Sequence, residues 1–333
     1  MPIVGLASSC ADRSLWSAQR IGSDHEGVGT VNGAPGRTTL LRDLEPVIEQ
    51  RLERHLRTAQ RWDPSAYVRP ELYWGQRRSS LTETAKAALV TTLLTHNNTA
   101  LADPARELFT SSPAWAEWSA VWSDEKRSHA DAIQRYLVAT KSVDAVALDR
   151  ARVQCTTIGI ESSMEGDNFL RSIVHSTIDV MATMVSHRNT AVECADPVAE
   201  ELLGRIVADQ ERHVAFFSDV VAGALESAPA QTLKAITEVL MNFQLPGSGL
   251  VGFERSAMLL ARDGIYDLRL HLDDVLLPAV RMWRIFDRSA VDSSDRNRRI
   301  LSDFLDDMEV QATTFEQLRI RARARDAARL RAS

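Results

Sequence analysis

The chain alternates between stretches in which apolar residues recur every three or four positions and short breaks rich in Pro, Gly, Ser and Asp. In LLRDLEPVIEQRLERHLRTAQRW, residues Leu41, Leu44, Val47, Ile48, Leu52 and Leu56 trace one helical face, which predicts an amphipathic helix from Leu40 onward. Pro46 lies inside that run, so the helix is expected to start or kink there. The same period runs through LTETAKAALVTTLLTHNNTAL, WAEWSAVWSDEKRSHADAIQRYLVAT, VDAVALDRARVQCTTIGI, NFLRSIVHSTIDVMATMVSHRNTAV and DPVAEELLGRIVADQERHVAFFSDVVAGAL, and through the segments after Ala230. Strand-like alternation is scarce. Turn chemistry falls at Asp103-Pro104, Ser111-Ser112-Pro113, Asp196-Pro197 and the glycine-rich LPGSGLVG at 245–252. The pattern predicts an all-α domain of about ten helices, with central helices apolar enough to be buried on most sides. No internal repeat of solenoid length is present.

Before the first helix, residues 1–37 are rich in Gly, Ser and Asp without periodicity and read as an irregular arm. The organisation expected is therefore an arm over 1–37, a helical domain over 38–325 and a basic tail over 326–333. The basic cluster RIRARARDAARLR near the end reads as a solvated helical face or tail.

Composition narrows the function classes. With 333 residues, 44% apolar and 25% charged, the chain can bury a sizeable core. Its formal net charge of -6 argues against a general nucleic-acid binder, which needs a concentrated positive surface. No stretch reaches the length of a membrane span, and no basic region followed by an apolar run opens the chain. Cys10, Cys155 and Cys194 lie far apart without zinc-knuckle spacing, which fits a reducing, cytoplasmic setting.

Two segments carry candidate chemistry. Asp124-Glu125-Lys126-Arg127-Ser128-His129 and Asp209-Gln210-Glu211-Arg212-His213 each place an acid four residues before a histidine on a mostly apolar helix. Bundle two-metal sites use facing helices in this way, although with Glu-x-x-His at i, i+3.

With these stretches in view, the chain resembles the soluble acyl-acyl carrier protein desaturases over residues 38 to 320. The resemblance is carried by LLRDLEPVIEQRLERHLRTAQRWDPSAYV, LVTTLLTHNNTAL, WSDEKRSHADAIQRYLV, VSHRNTA, DPVAEELLGRIVADQERH and GIYDLRLHLDDVLLPAVRMWRIFDR. It implies a ferritin-like bundle with a four-helix core, an acyl chain carried on acyl carrier protein or another thioester, a di-iron cofactor and a homodimer. In that family the ligands come from four helices, as two lone glutamates and two Glu-x-x-His motifs. Carried onto this sequence, the first lone glutamate falls at His96, or at Asn97 if the register slips. The first motif falls on Lys126 and His129, the second lone glutamate on Val180, and the second motif on Gln210 and His213. Both histidines are present and none of the four carboxylates is.

The donor chemistry follows. Val180 offers no lone pair, Gln210 no charge, and a protonated Lys126 no acceptor, so no conventional di-iron cofactor is expected. A di-iron centre would need an unorthodox ligand set drawn from Glu125, Asp209, Asp179 or His96, and a one-residue step turns a helical side chain by about 100°. In active relatives, acids one residue before the ligands look like outer partners of the histidines.

Lys126 is one of only four lysines, with Lys86, Lys141 and Lys234. Either its ammonium replaces missing metal charge by pairing with Asp209, Asp179 or Glu125, or a desolvated amine serves as a base or forms a Schiff base beside His129 and His213. His187 reads as a hydrogen-bonded packing residue, His55 and His271 as half-exposed, and Trp62, Trp115, Trp118, Trp122 and Trp283 as core aromatics. Three functions remain. One is a metal-independent reaction on a carrier-bound fatty acyl, polyketide-type or other apolar substrate, using Lys126, His129, His213, Glu125 and Asp209. The second is a non-catalytic carrier-binding or partner subunit. The third is a desaturase with an unorthodox metal site.

Overall fold

The computed structural model describes residues 35–69, 71, 81–96, 112–158, 169–245, 247, 248, 250, 252–287 and 292–332. Within them every regular element is helical, as the periodicity requires. The order is α1 (Pro35–Thr58), α2 (Pro64–Tyr67), α3 (Glu83–His96), α4 (Pro113–Ala139), α5 (Ala145–Ile158) and α6 (Phe169–Cys194). There follow α7 (Pro197–Ser227), α8 (Pro229–Asn242), α9 (Phe253–Asp263), α10 (Leu268–His271), α11 (Leu277–Met282) and α12 (Asp292–Ala332). α2 and α10 are single turns of four residues, too short for a periodicity to register. The arm expected over 1–37 lies almost wholly outside the described residues, as do Asp103-Pro104 and Ser111. α12 runs to Ala332, so the basic residues after 325 continue its helix.

α3, α4, α7 and α6 close a ring in which each packs on the next, and α1 lies across α4 and α7. The reason is the breadth of their apolar faces. α6 buries Ile173, Val174, Ile178, Val180 and Val185, and α7 buries Leu202, Ile206, Phe216, Val220 and Val221. Each such side chain removed from water contributes about 1.5–3 kcal/mol. Trp118 of α4 is fully buried, its ring 3.6 Å from that of Phe216 and edge-on to Phe217.

Local chemistry sets the helix starts. Ser112 caps α4 by accepting from Trp115 N at 3.1 Å, with Pro113 in the first turn. Asp196 does the same for α7, accepting from Val198 N at 3.0 Å ahead of Pro197. In the glycine-rich break, Gly247 has φ +91° and packs against α3, where an added Cβ would stand 3.0 Å from Thr91 Cγ2.

Pro46 lies inside α1, which begins at Pro35, so of the start or kink expected there the start is not found. Two expectations differ from what is found. His55 and His271 are buried, at 3% and 8% exposure, rather than half-exposed. His55 follows Leu44, Ile48 and Leu52 at steps of four and three on the inward face of α1. His271 meets Tyr266, whose hydroxyl lies 2.8 Å from its Nδ1. A π-helical turn at Leu272–Leu276 also joins α10 to α11. It ends two residues before Pro278, whose ring would clash with a carbonyl in a regular α-helix.

Candidate functional site

The two acid-to-histidine segments do face each other, and they do so crosswise. Glu125 of α4 binds His213 Nε2 of α7 through Oε2 at 2.5 Å and His55 Nε2 of α1 through Oε1 at 3.0 Å. Asp209 of α7 binds His129 Nε2 of α4 through Oδ2 at 3.0 Å. Each acid therefore serves a histidine of another helix and not the one four residues along its own. Helical geometry explains this: both members of an i, i+4 pair point off the same face, toward the neighbouring helix.

Asp209 also accepts from Trp62 Nε1 at 2.8 Å, from Arg205 at 2.9 Å and from Arg212. Burial acts to raise its carboxyl, but the bonds from His129 and Trp62 and the charge of Arg205 hold it below the usual carboxylate range. Glu125 is held far below that range: burial again opposes, and the bonds to His213 and His55 prevail. Both acids are ionised and can only accept, so His129, His213 and His55 each donate from Nε2. His213 is neutral, its pKa lowered to about 4 by burial against a partial opposing pull from Glu125. Its Nδ1 is a bare lone pair with no hydrogen-bond partner among the described residues.

Inside this frame lies a small cavity lined by Trp122, Lys126, His129, Asp179, Val180, Thr183, Gln210 and His213, with room for about one water molecule. Five of the positions that the sequence matched to family ligands, Lys126, His129, Val180, Gln210 and His213, border it. Lys126 is 7% exposed and its ammonium stands 4.7 Å over the ring of Trp122. Among the described residues no carboxylate comes within ion-pairing distance of it. Burial lowers the amine's pKa and Asp179 opposes only through space. The expected pairing with Asp209, Asp179 or Glu125 is not formed, because Glu125 and Asp209 are engaged by histidines and arginines. Gln210 Oε1 accepts from His187 Nδ1 at 2.9 Å, giving His187 the packing role expected of it. His96 ends α3, but its side chain and all of Asn97 lie outside what is described.

Sequence reasoning missed His55 and the Arg205–Asp209 pair; the step pattern along α1 and the i, i+4 spacing of Arg205 to Asp209 were the signals available. His55 matters because it joins Glu125 and His213 in a group whose potential ligand atoms all lie within 4.8 Å of one another. The expectation of a core without metal is therefore not carried by geometry at this spot.

The sequence comparisons now bear on this frame. A fatty acid desaturase family model matches residues 36–330. The chain belongs to that family. It is 34% identical over 308 residues to DesA1 of Mycobacterium tuberculosis, named for acyl-[acyl-carrier-protein] desaturation, covering 86% of this chain and 90% of that protein. A plant relative in the family, the chloroplastic stearoyl-[acyl-carrier-protein] 9-desaturase 6 of Arabidopsis thaliana, is 28% identical over 184 residues, 53% of this chain and 47% of its own. The X-ray structure of DesA2 from Mycobacterium tuberculosis superposes with a TM-score of 0.62 at 23% identity, covering 78% of this chain and 99% of that one. The ferritin-like bundle implied by the resemblance is thus the fold of this desaturase-family chain. No helix among its described residues is long and apolar enough to cross a membrane.

Proposed function

We propose that this desaturase-family chain takes an acyl group presented on acyl carrier protein or as another thioester and acts on it without a conventional di-iron pair. Lys126 would be the central amine, with His129 and His213 beside it. Glu125 and Asp209 hold those histidines in place. The supporting observation is the chemistry of the cavity wall: an amine, an isopropyl group and an amide, from Lys126, Val180 and Gln210, border one small space with His129 and His213. An iron pair needs carboxylates to neutralise and bridge it, and of these donors only the histidines fit. Among the described residues, Asp179 alone brings a carboxylate to the wall. A cytoplasmic homodimer is part of the same proposal.

The test is metal content together with turnover. Protein purified from iron-supplemented cells should hold far less than stoichiometric iron, and Lys126→Met should lose acyl-carrier-dependent product while keeping its helical circular dichroism. A stoichiometric iron pair with its near-ultraviolet signature would defeat the proposal.

Two other readings each have an observation in their favour. The size of the cavity, about one water, favours a non-catalytic carrier-binding or partner subunit. In that case Lys126→Met leaves every phenotype intact. The closeness of His55, Glu125 and His213 favours an unorthodox metal site. Against it, both histidines already satisfy Glu125 through Nε2, and each Nδ1 is buried without the hydrogen-bond partner that a metal-binding imidazole ordinarily has. Metal retained by the native protein and lost in His55→Ala would establish that site.

A further inference from the structure

We propose that the outward face of α12 is a self-association surface, on which a second copy of this chain lays its own α12 antiparallel about a two-fold axis at Thr314. The proposal rests on the homodimer reading above and names the surface that the pair uses. One side of α12 buries Leu301, Leu305, Met308 and Ala312, and packs the helix on α8 and α10. The opposite side is centred on Thr314. It carries Val310 and Leu318 four residues to either side, Asp307 and Arg321 at seven, and Asp303 and Arg325 at eleven, all of them exposed. At about 100° per residue, steps of four, seven and eleven all return to one helical face. Val310 is 67% exposed and Leu318 51%. Among the described residues, neither the two acids nor the two arginines make an ion pair.

A two-fold axis across a helix brings each residue before the axis onto the one equally far after it in the other copy. Val310 of one copy then meets Leu318 of the other, Asp307 meets Arg321, and Asp303 meets Arg325, each pairing occurring twice. Asp307, Thr314 and Arg321 recur at seven residues, the spacing of a two-stranded helical seam. Charge fixes both the direction and the occupant. A parallel mate would set acid on acid, and a partner of a single sign would satisfy one half of the face and be repelled by the other. The centre can be covered at little cost, because the Thr314 hydroxyl already donates to the Val310 carbonyl at 2.8 Å. The seam from Asp303 to Arg325 spans roughly 33 Å of helix. One helical face falls short of the roughly 800 Å² per partner of a standard interface, so the association is expected to be weak and sensitive to salt.

The experiment uses the full chain at several concentrations. Thr314→Cys sits where the axis brings a residue onto its own mate. With diamide as oxidant it should form a disulfide between copies, identified by mass spectrometry as a peptide joining position 314 to itself. Ile320→Cys, 58% exposed but off the face and away from the axis, should not. In the Thr314→Cys chain, reversing the arginines by Arg321→Glu with Arg325→Glu should cut the linked yield roughly tenfold, and so should reversing the acids by Asp303→Lys with Asp307→Lys. Mixing the two reversed chains should restore it, since each offers the charge that the other lacks. Salt at about 1 M, which shortens screening to roughly 3 Å, should lower the yield of the unreversed chain. Copies that stay unlinked at position 314 with their helical circular dichroism intact would overturn the proposal, and so would linkage indifferent to charge reversal. Polyglutamate bound by a chain that stays unlinked would give the face to an acidic partner and end the proposal in the same way. Light scattering separates this from the homodimer reading. A dimer mass without a link at 314 removes α12 as the surface and leaves the homodimer standing, whereas a monomer mass at every concentration removes both.

Discussion

Glu125 on α4 reaches across the bundle to His213 on α7, 2.5 Å away, while His129, one turn along its own helix, is held by Asp209 from α7. The two helices are therefore joined by reciprocal acid–imidazole bonds, and α1 is drawn into the same network through His55. Several outcomes follow from it.

Removing Glu125 strips two buried N–H donors of their acceptor. Glu125→Ala should destabilise the chain by about 2–4 kcal/mol, read as a lower urea midpoint, because the unsatisfied imidazoles of His55 and His213 remain buried. Glu125→Gln keeps one acceptor oxygen and should cost about half as much.

Asp209 gathers more donors than Glu125 and is 2% exposed. Asp209→Ala leaves Arg205 and Arg212 near an uncompensated polar core and should cost about 3–5 kcal/mol in chemical unfolding. Trp62→Phe removes a single donor at 2.8 Å and should cost about 1 kcal/mol beyond its change in packing.

Lys126 is a buried amine without a carboxylate at ion-pairing distance among the described residues, so its ammonium form is a burden on the fold. Lys126→Met, which keeps the chain length and the packing on Trp122, should raise stability by about 1–3 kcal/mol at neutral pH. A drop in the unfolding midpoint would show that the ammonium has an electrostatic partner in solution.

Acid should weaken the protein over a defined window. Burial lowers the imidazoles of His187, His213 and His271 from 6.5 to about 4 in the folded chain. On acidification the unfolded chain takes up these protons first, so their contribution is fully present above pH 6.5 and is lost as pH falls toward about 4. Glu125 works in the same direction at still lower pH, its folded pKa being depressed. Urea midpoints measured across this range should fall steadily; a flat profile would mean these histidines are protonated or solvated in the native state.

Much of this was legible in the sequence, for reasons that differ from residue to residue. Helices appear because apolar spacing is a local signal, and Ser112-Pro113 and Asp196-Pro197 mark starts because a cap and its proline are neighbours in the chain. Lys126, Val180, Gln210, His129 and His213 were placed together by resemblance, and they border one cavity. His55 was misplaced as half-exposed because its partner Glu125 lies 70 residues away.

By itself the sequence determined the all-α class, the helical faces, the family and the residue chemistry at the positions matched to the family's ligands, all of which depend on residue identity and spacing within a segment. Only the tertiary structure decided that Glu125 and Asp209 each bind a histidine across the bundle, that Lys126 has no acid within ion-pairing distance among the described residues, and that His213 borders the same cavity. Those facts depend on which faces of separate helices meet and at what distance, and hydrogen bonds and ion pairs fall off too steeply with distance and angle for periodicity along one helix to specify them.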